Sequence, residues 1–205
     1  LTTSEVTMAG ATVSVSDAAT LANANAINGF TTAQVTLTSV SDTVANITSI
    51  DGLTTSEVTM AGATVSITDA GVTKTQLDAV NAFTTGTVTA LTVTEDRADI
   101  TTLQGTTGIS LAATNITVTD AVSLAQAETI NGYTSGTVTL NSVSDTVANL
   151  ATLAAIDNAE VTIAGAAISV SDAASKTNAD TINAYTTGQV TLTSVNDTVA
   201  NITAI

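Results

Sequence analysis

The chain has no cysteine, histidine, proline or tryptophan, and only three of its 205 residues are basic. Without cysteine, no disulfide can form and no thiolate can act as a nucleophile or metal ligand. Eighteen acidic residues give a net charge of −15, and such a surface repels nucleic acid and anionic lipid. No apolar run approaches the ~18 residues of a membrane span. We therefore expect neither nucleic-acid binding nor membrane insertion.

The same shortages argue against an enzyme. Histidine, the residue that most often carries out general acid–base catalysis, is absent. The sequence also holds no Walker loop and no nucleophile elbow. The aspartates recur at the same position of the repeat, whereas an active site normally occurs only once in a chain. We therefore expect no catalytic residue and no cofactor.

Repetition dominates the sequence that is present. Leu1–Gly10 recurs as Leu53–Gly62, and Val40–Ile47 recurs with few changes as Val143–Leu150 and Val195–Ile202. Self-similarity at a fixed period is typical of units that bury their apolar faces by stacking. We predict that residues 1–205 form a single array of four repeats of about 52 residues, each made of two coils. The repeats are residues 1–52, 53–105, 106–157 and 158–205.

An aspartate marks each coil. Apolar and polar residues alternate before it, as in Thr12–Ser16, which is typical of a strand. After it, apolar residues are three apart, as in Val44, Ile47 and Ile50, which favours a short helix capped by the aspartate. These predicted structural caps are Asp17, Asp42, Asp69, Asp96, Asp120, Asp145, Asp172 and Asp197.

This pattern predicts a parallel β-solenoid of about eight coils, with short helices or turns after the repeated aspartates. An all-β solenoid without helices is the alternative. The chain has four aromatic residues, all at one position of the repeat, and we expect them to fill space between aliphatic groups in the core. They are Phe30, Phe83, Tyr133 and Tyr185.

One dense acidic cluster departs from the repeat and offers an alternative role in cation binding. Glu95, Asp96 and Asp99 supply carboxylate oxygens of the kind that calcium prefers. The glycines that accompany aspartate in known calcium-binding repeats are missing around the repeated aspartates. Helix capping is therefore the preferred interpretation of the repeated aspartates, with calcium as the alternative.

The segments Val40–Ile47 and Val15–Leu21 resemble repeats of very large bacterial surface or secreted proteins, including cyanobacterial adhesins and extracellular fibres. The resemblance implies an extracellular or cell-surface location and a structural or adhesive role. We expect a non-enzymatic repeat protein that forms an elongated rod or filament and associates with itself, end to end or side by side. A solenoid that binds surface polysaccharide or ice, and a calcium-responsive adhesin, are the alternatives.

Overall fold

The computed structural model describes residues 7–53, 57–156 and 160–205. The chain divides into two compact units. The first contains the residues up to Leu91 together with Thr106–Ser110, and the second contains Thr92–Gly105 and Leu111–Ile205. This division does not follow the repeat boundaries, since Leu91 lies within the second 52-residue repeat.

Strands and helices alternate along both units. The strands are β1 (Val13–Ala19), β2 (Val35–Asp42), β3 (Val58–Thr59), β4 (Thr64–Ile67), β5 (Val88–Ala90), β6 (Thr92–Glu95), β7 (Ile109–Ser110), β8 (Asn115–Val122), β9 (Val138–Asp145), β10 (Val161–Thr162), β11 (Ala167–Ala174) and β12 (Val190–Val195). The helices are α1 (Leu21–Asn28), α2 (Val44–Gly52), α3 (Lys74–Asn81), α4 (Arg97–Gly105), α5 (Leu124–Asn131), α6 (Val147–Ile156), α7 (Lys176–Asn183) and α8 (Val199–Ile202).

Each unit holds one parallel sheet. The sheet of the first unit has the strand order β1-β2-β4-β5-β7, with β3 also paired to β2. The sheet of the second unit has the order β12-β11-β9-β8-β6, with β10 also paired to β9. Valine faces valine across the ladders, for example Val13 opposite Val35 in the first sheet. The strands of each sheet therefore lie side by side in chain order, although β6 and β7 each belong to the other sheet from their chain neighbours β5 and β8.

The strands and helices share an aliphatic core. The alternating strand residues Val35, Leu37 and Val40 are all buried in β2. Helix α2 places Ile47 and Ile50 against the sheet, and the same spacing of three brings buried pairs inward from the other helices. Those pairs are Leu77 and Val80, Ile100 and Leu103, Ala127 and Ile130, Leu150 and Leu153, and Ala179 and Ile182. Within the described ranges, no helix is long and apolar enough to cross a membrane.

The prediction of a parallel β-solenoid, with or without helices, is wrong. The described residues form an α/β protein in which helices connect the strands of two parallel sheets. Parallel neighbours need a crossover connection, and a short helix is the usual one. A strand–helix unit therefore produces the same spacing of about 26 residues that a β-coil would produce. In addition, β5 and β6, separated only by Leu91, belong to different sheets.

The four aromatic residues also differ from their predicted place. Phe30 is 63% exposed and the other three are half-buried, so none of them belongs to the core. Each comes directly before a threonine, which is buried at Thr31, Thr84 and Thr186 and half-buried at Thr134. The aromatic residue ends the turn after the helix, and the threonine that follows it, not the ring, packs inward at Thr31, Thr84 and Thr186.

Candidate functional site

The repeated aspartates join neighbouring half-repeats, a half-repeat being one strand segment and the helix that follows it. Asp42, at the end of β2, accepts a hydrogen bond from the backbone N–H of Leu21, the first residue of the preceding helix α1, at 2.9 Å. Asp69 in turn accepts one from the N–H of Val44, the first residue of α2, at 2.6 Å. The same bond recurs in the second unit at 2.8–2.9 Å, from Arg97 to Asp120, Leu124 to Asp145, Val147 to Asp172 and Lys176 to Asp197. Each of these carboxylates therefore binds the helix that precedes its own strand.

The helix that follows each aspartate has its own cap. Thr43 is the N-cap of α2, and its hydroxyl oxygen accepts from the Asn46 N–H. Thr20, Thr73, Ser123, Ser175 and Thr198 cap α1, α3, α5, α7 and α8 in the same way. In these six helices, a threonine or serine hydroxyl therefore occupies the conventional N-cap position. The first helical N–H lies out of reach of the N-cap side chain, and in α1, α2, α4, α5, α6 and α7 it is bound by an aspartate of the next half-repeat.

Asp96 and Asp17 differ from the other repeated aspartates. Asp96 accepts from the N–H of Asp99, three residues later, and its carbonyl accepts from Ile100, which makes Asp96 the cap of its own helix α4. Asp17 is exposed, at the end of β1 on the edge of the first sheet. The predicted capping of the following helix is thus seen at Asp96, whereas six of the other repeated aspartates bind the first N–H of the preceding helix.

Asp42 makes three hydrogen bonds. Its Oδ1 also accepts from the Thr43 N–H and from the Asn46 side-chain amide, at 2.9 and 2.8 Å. Burial raises the pKa of Asp42, but the bonds from Leu21, Asn46 and Thr43 outweigh burial and hold the pKa below its ordinary value. The carboxylate thus remains charged where it ties α1 and α2 to β2.

Asp145 and Asp197 repeat this arrangement. Burial raises the pKa of Asp145, and hydrogen bonds from the N–H of Leu124, the Asn149 side chain and the N–H of Thr146 bring it below the ordinary value. The pKa of Asp197 is lowered first by the bond from the Lys176 N–H, then by those from Asn201 and Thr198. The sequence signal for this stronger site is Asp-Thr-x-x-Asn, which occurs at all three positions.

These lowered pKa values predict how the aspartates contribute to stability as pH changes. A carboxylate whose pKa is lower in the folded state stabilises it fully above its unfolded pKa, about 3.9. That contribution is lost as pH falls through the lower pKa of the folded state. We expect the difference in unfolding free energy between the wild type and Asp42→Ala to be constant from pH 7 to about pH 5 and to shrink below pH 4. Urea unfolding followed by circular dichroism at each pH measures it, and a difference that stays constant down to pH 2 would contradict this assignment.

The acidic cluster takes structural positions. Glu95 ends β6, Asp96 caps α4, and Asp99 lies in the first turn of α4, where its charge suits the helix dipole. Among the residues that the structure describes, no group of three or more acidic, histidine or cysteine side chains is placed to hold a metal ion.

The sequence interpretation missed one feature, which we call the threonine clasp. In it, a threonine hydroxyl donates to one backbone carbonyl and accepts from one backbone N–H. Thr84 donates its hydroxyl to the carbonyl oxygen of Ala63 at 2.6 Å and accepts from the N–H of Gly86 at 2.9 Å. A Cβ on Gly86 would overlap the carbonyl oxygen of Ala63, so glycine allows this close approach. Equivalent clasps centre on Thr31, Thr134 and Thr186, each of which donates over 2.6 Å to a carbonyl of the preceding strand segment.

The sequence carries a signal for this clasp. An aromatic residue, a threonine and a second hydroxyl residue precede glycine at residues 83–86, 133–136 and 185–188. In the first repeat, at residues 30–33, alanine takes the place of the glycine. The aromatic residue marks the position, but the threonine after it forms the bonds.

One groove is lined by an arginine. Arg97, at the start of α4, and Tyr133, after α5, line a groove of about 220 Å³. The other basic residues pair within their helices, Lys74 with Asp78 and Lys176 with Asp180, both at 2.6 Å. In contrast, the Nε of Arg97 is buried without a hydrogen-bond partner. This guanidinium is suited to an anionic group such as a carboxylate.

Comparison of the chain with protein-family models, with curated proteins and with solved structures finds no match.

Proposed function

We propose that this chain is a non-enzymatic structural or adhesive repeat protein of the cell surface or extracellular space, and that its copies associate with one another. The observation that carries this proposal is the use of the repeated polar groups. The carboxylates of Asp42, Asp69, Asp120, Asp145, Asp172 and Asp197 each bind the helix of the preceding half-repeat. The clasp threonines likewise join one strand segment to the next. The repeated chemistry therefore serves cohesion between successive half-repeats.

Composition is compatible with a location outside the cell, and the resemblance to adhesin repeats supports it. A chain without cysteine needs no reducing or oxidising environment to fold, and a net charge of −15 favours solubility through self-repulsion. The likeness of Val40–Ile47 and its copies to repeats of bacterial adhesins points in the same direction. Together these features fit a cohesive module exposed to solvent better than a module that binds nucleic acid.

Immunogold labelling of the cells that produce this protein tests the location. We expect antibodies raised against the 205-residue chain to label intact cells, because a surface protein is accessible without permeabilisation. An antibody against a cytoplasmic protein serves as the control and should label permeabilised cells only. Labelling by the first antibody that also requires permeabilisation would refute the proposed surface role.

A further inference from the structure

Arg97 occupies a position that is apolar in the other repeats. It is the first residue of α4, whereas the helices that begin at the same point of the repeat, α2, α6 and α8, start with Val44, Val147 and Val199. It is also the only arginine of the chain. Because the same strand–helix unit forms three times with valine here, the fold does not require an arginine at this position.

The guanidinium of Arg97 lacks the kind of partner that the lysines have. Lys74 and Lys176 pair with Asp78 and Asp180 inside their own helices, but Arg97 forms no ion pair with any residue that the structure describes. Its Nε is buried and has no hydrogen-bond partner. A buried donor of a charged group is costly to leave unsatisfied, and an anionic group beside it would remove that cost.

The groove next to Arg97 lies between α4 and α5. We call it the Arg97 groove, and it is lined by Arg97, Thr101, Gln126, Thr129, Ile130 and Tyr133. The Oε1 of Gln126 accepts from the Ser123 N–H at 2.8 Å, which leaves the amide nitrogen as its donor. The hydroxyls of Thr101 and Thr129 each donate to the carbonyl four residues earlier, both at 2.8 Å, so their oxygens remain acceptors. The groove therefore offers hydrogen-bond donors and acceptors together.

Two side chains form the apolar part of the Arg97 groove. Ile130 is buried, and Tyr133 is half-buried with an amphipathic ring. The groove has a volume of about 220 Å³, which is below the range of about 300–1,000 Å³ for sites that take drug-sized ligands. A single ring with hydroxyl groups and an apolar face, such as one sugar unit, matches this size and this mixture of groups.

The charge balance favours a group with one negative charge. Arg97 is the only basic residue that lines the groove. Nearby backbone donors of α4 are already used, since Asp120 accepts from the Arg97 N–H and Asp96 accepts from the Asp99 N–H. A phosphate monoester, with a charge of about −1.5 to −2, would meet these carboxylates with one cation to balance it. A carboxylate carries a single charge and forms two parallel hydrogen bonds with a guanidinium.

We propose that the Arg97 groove binds a uronate unit of an acidic polysaccharide. Arg97 pairs with the carboxylate, and the Gln126 amide donates to a sugar oxygen. Thr101 and Thr129 accept from the sugar hydroxyls, while Tyr133 packs against the apolar face of the ring. This inference rests on the proposed function and names the ligand class for its adhesive role. A polysaccharide presents many such units, and several copies of the chain on one surface would bind them with avidity.

The single arginine makes a direct test possible. A chain labelled with nitrogen-15 arginine gives one side-chain Nε–H signal in an NMR spectrum, that of Arg97, and the burial of this atom slows exchange of its proton with water. At constant ionic strength, galacturonate should shift the signal in a saturable way. Galactose, which has the same ring without the carboxylate, should leave it in place. Acetate, which has the carboxylate without the ring, should bind more weakly than galacturonate.

Matched variants identify the groove as the site. Arg97→Val introduces the residue of the other repeats, so it should keep the wild-type circular dichroism spectrum. We expect it to weaken galacturonate binding about tenfold or more in isothermal titration calorimetry, because a charge-assisted hydrogen bond is lost. Lys74→Gln removes the same charge from α3, outside the groove, and should leave the affinity unchanged. Tyr133→Phe should bind like the wild type, whereas Tyr133→Ala should bind more weakly.

Three results would overturn the inference. The first is an Arg97 signal that does not move with galacturonate up to about 50 mM, a range that shows even millimolar affinity. The second is an equal affinity for acetate and galacturonate, which would assign the groove to carboxylates in general, including acidic side chains of proteins. The third is wild-type affinity in Arg97→Val, which would place the binding elsewhere. None of these results would change the surface labelling, and a failure of the surface labelling would leave the measured binding in place.

Discussion

Asp145→Ala should lower the free energy of unfolding by about 2–3 kcal/mol, the range for loss of hydrogen bonds to a charged, partly buried acceptor. The carboxylate of Asp145 accepts from the N–H groups of Leu124 and Thr146 and from the side chain of Asn149, all at 2.8–2.9 Å. Its removal leaves the first turns of α5 and α6 without these acceptors. Urea unfolding followed by circular dichroism at pH 7 measures the loss.

Two further variants show whether the acceptor geometry is responsible. Asp145→Asn keeps the shape of the side chain but turns a donating amide toward one of the N–H groups, so we expect it to lose nearly as much stability. Asp17→Ala changes an exposed repeat aspartate at the edge of a sheet and should cost less than about 0.5 kcal/mol, as surface substitutions usually do. Equal losses for Asp17→Ala and Asp145→Ala would show that charge alone matters.

Thr84→Val should cost about 2–3 kcal/mol, although the two side chains have nearly the same shape. The change leaves the carbonyl oxygen of Ala63 without its hydroxyl donor and the N–H of Gly86 without its acceptor. Thr84 is only 8% exposed, so water cannot easily replace these partners, and unsatisfied buried groups are costly. The shift of the thermal or urea midpoint measures the effect.

The neighbouring threonine provides the matched control. Thr85 is exposed, and its hydroxyl donates to the carbonyl oxygen of Ala61, which also accepts from the Thr85 N–H at 2.7 Å. Thr85→Val therefore leaves that carbonyl with a partner, and we expect a loss below about 0.5 kcal/mol. Thr84→Ser should recover most of the stability, because serine retains the hydroxyl. A Thr84→Val variant as stable as the wild type would refute the clasp.

Part of the fold was open to prediction because it depends on local periodicity. Alternation in Val35, Leu37 and Val40 predicts a strand with one buried face, and β2 has that face. The spacing of Ile47 and Ile50 favours a helix, and α2 buries both residues. Local periodicity does not, however, fix how the units are arranged. For this reason the same signals led to a solenoid, while the chain forms two α/β units.

The sequence predicted which residues form the candidate site, but not which backbone groups they bind. Asp42 and Thr43 are adjacent, and either could cap the helix that follows, since both side chains suit an N-cap. In the structure Thr43 caps α2, while Asp42 binds the first N–H of α1, 21 residues earlier. Only the spatial position of the preceding helix decides between these roles.

By itself, the sequence determined the period, the strand and helix segments and the recurrence of Asp42 and its counterparts, because these follow from residue order within a few turns of backbone. The tertiary structure alone decided which helix each carboxylate binds, which of Phe83 and Thr84 faces inward, and that β5 and β6, on either side of Leu91, belong to different sheets. The physical reason is that hydrogen bonds and burial depend on neighbours in space. Val40 and Val195 have the same local sequence, and only the presence of β4 beside Val40 buries it.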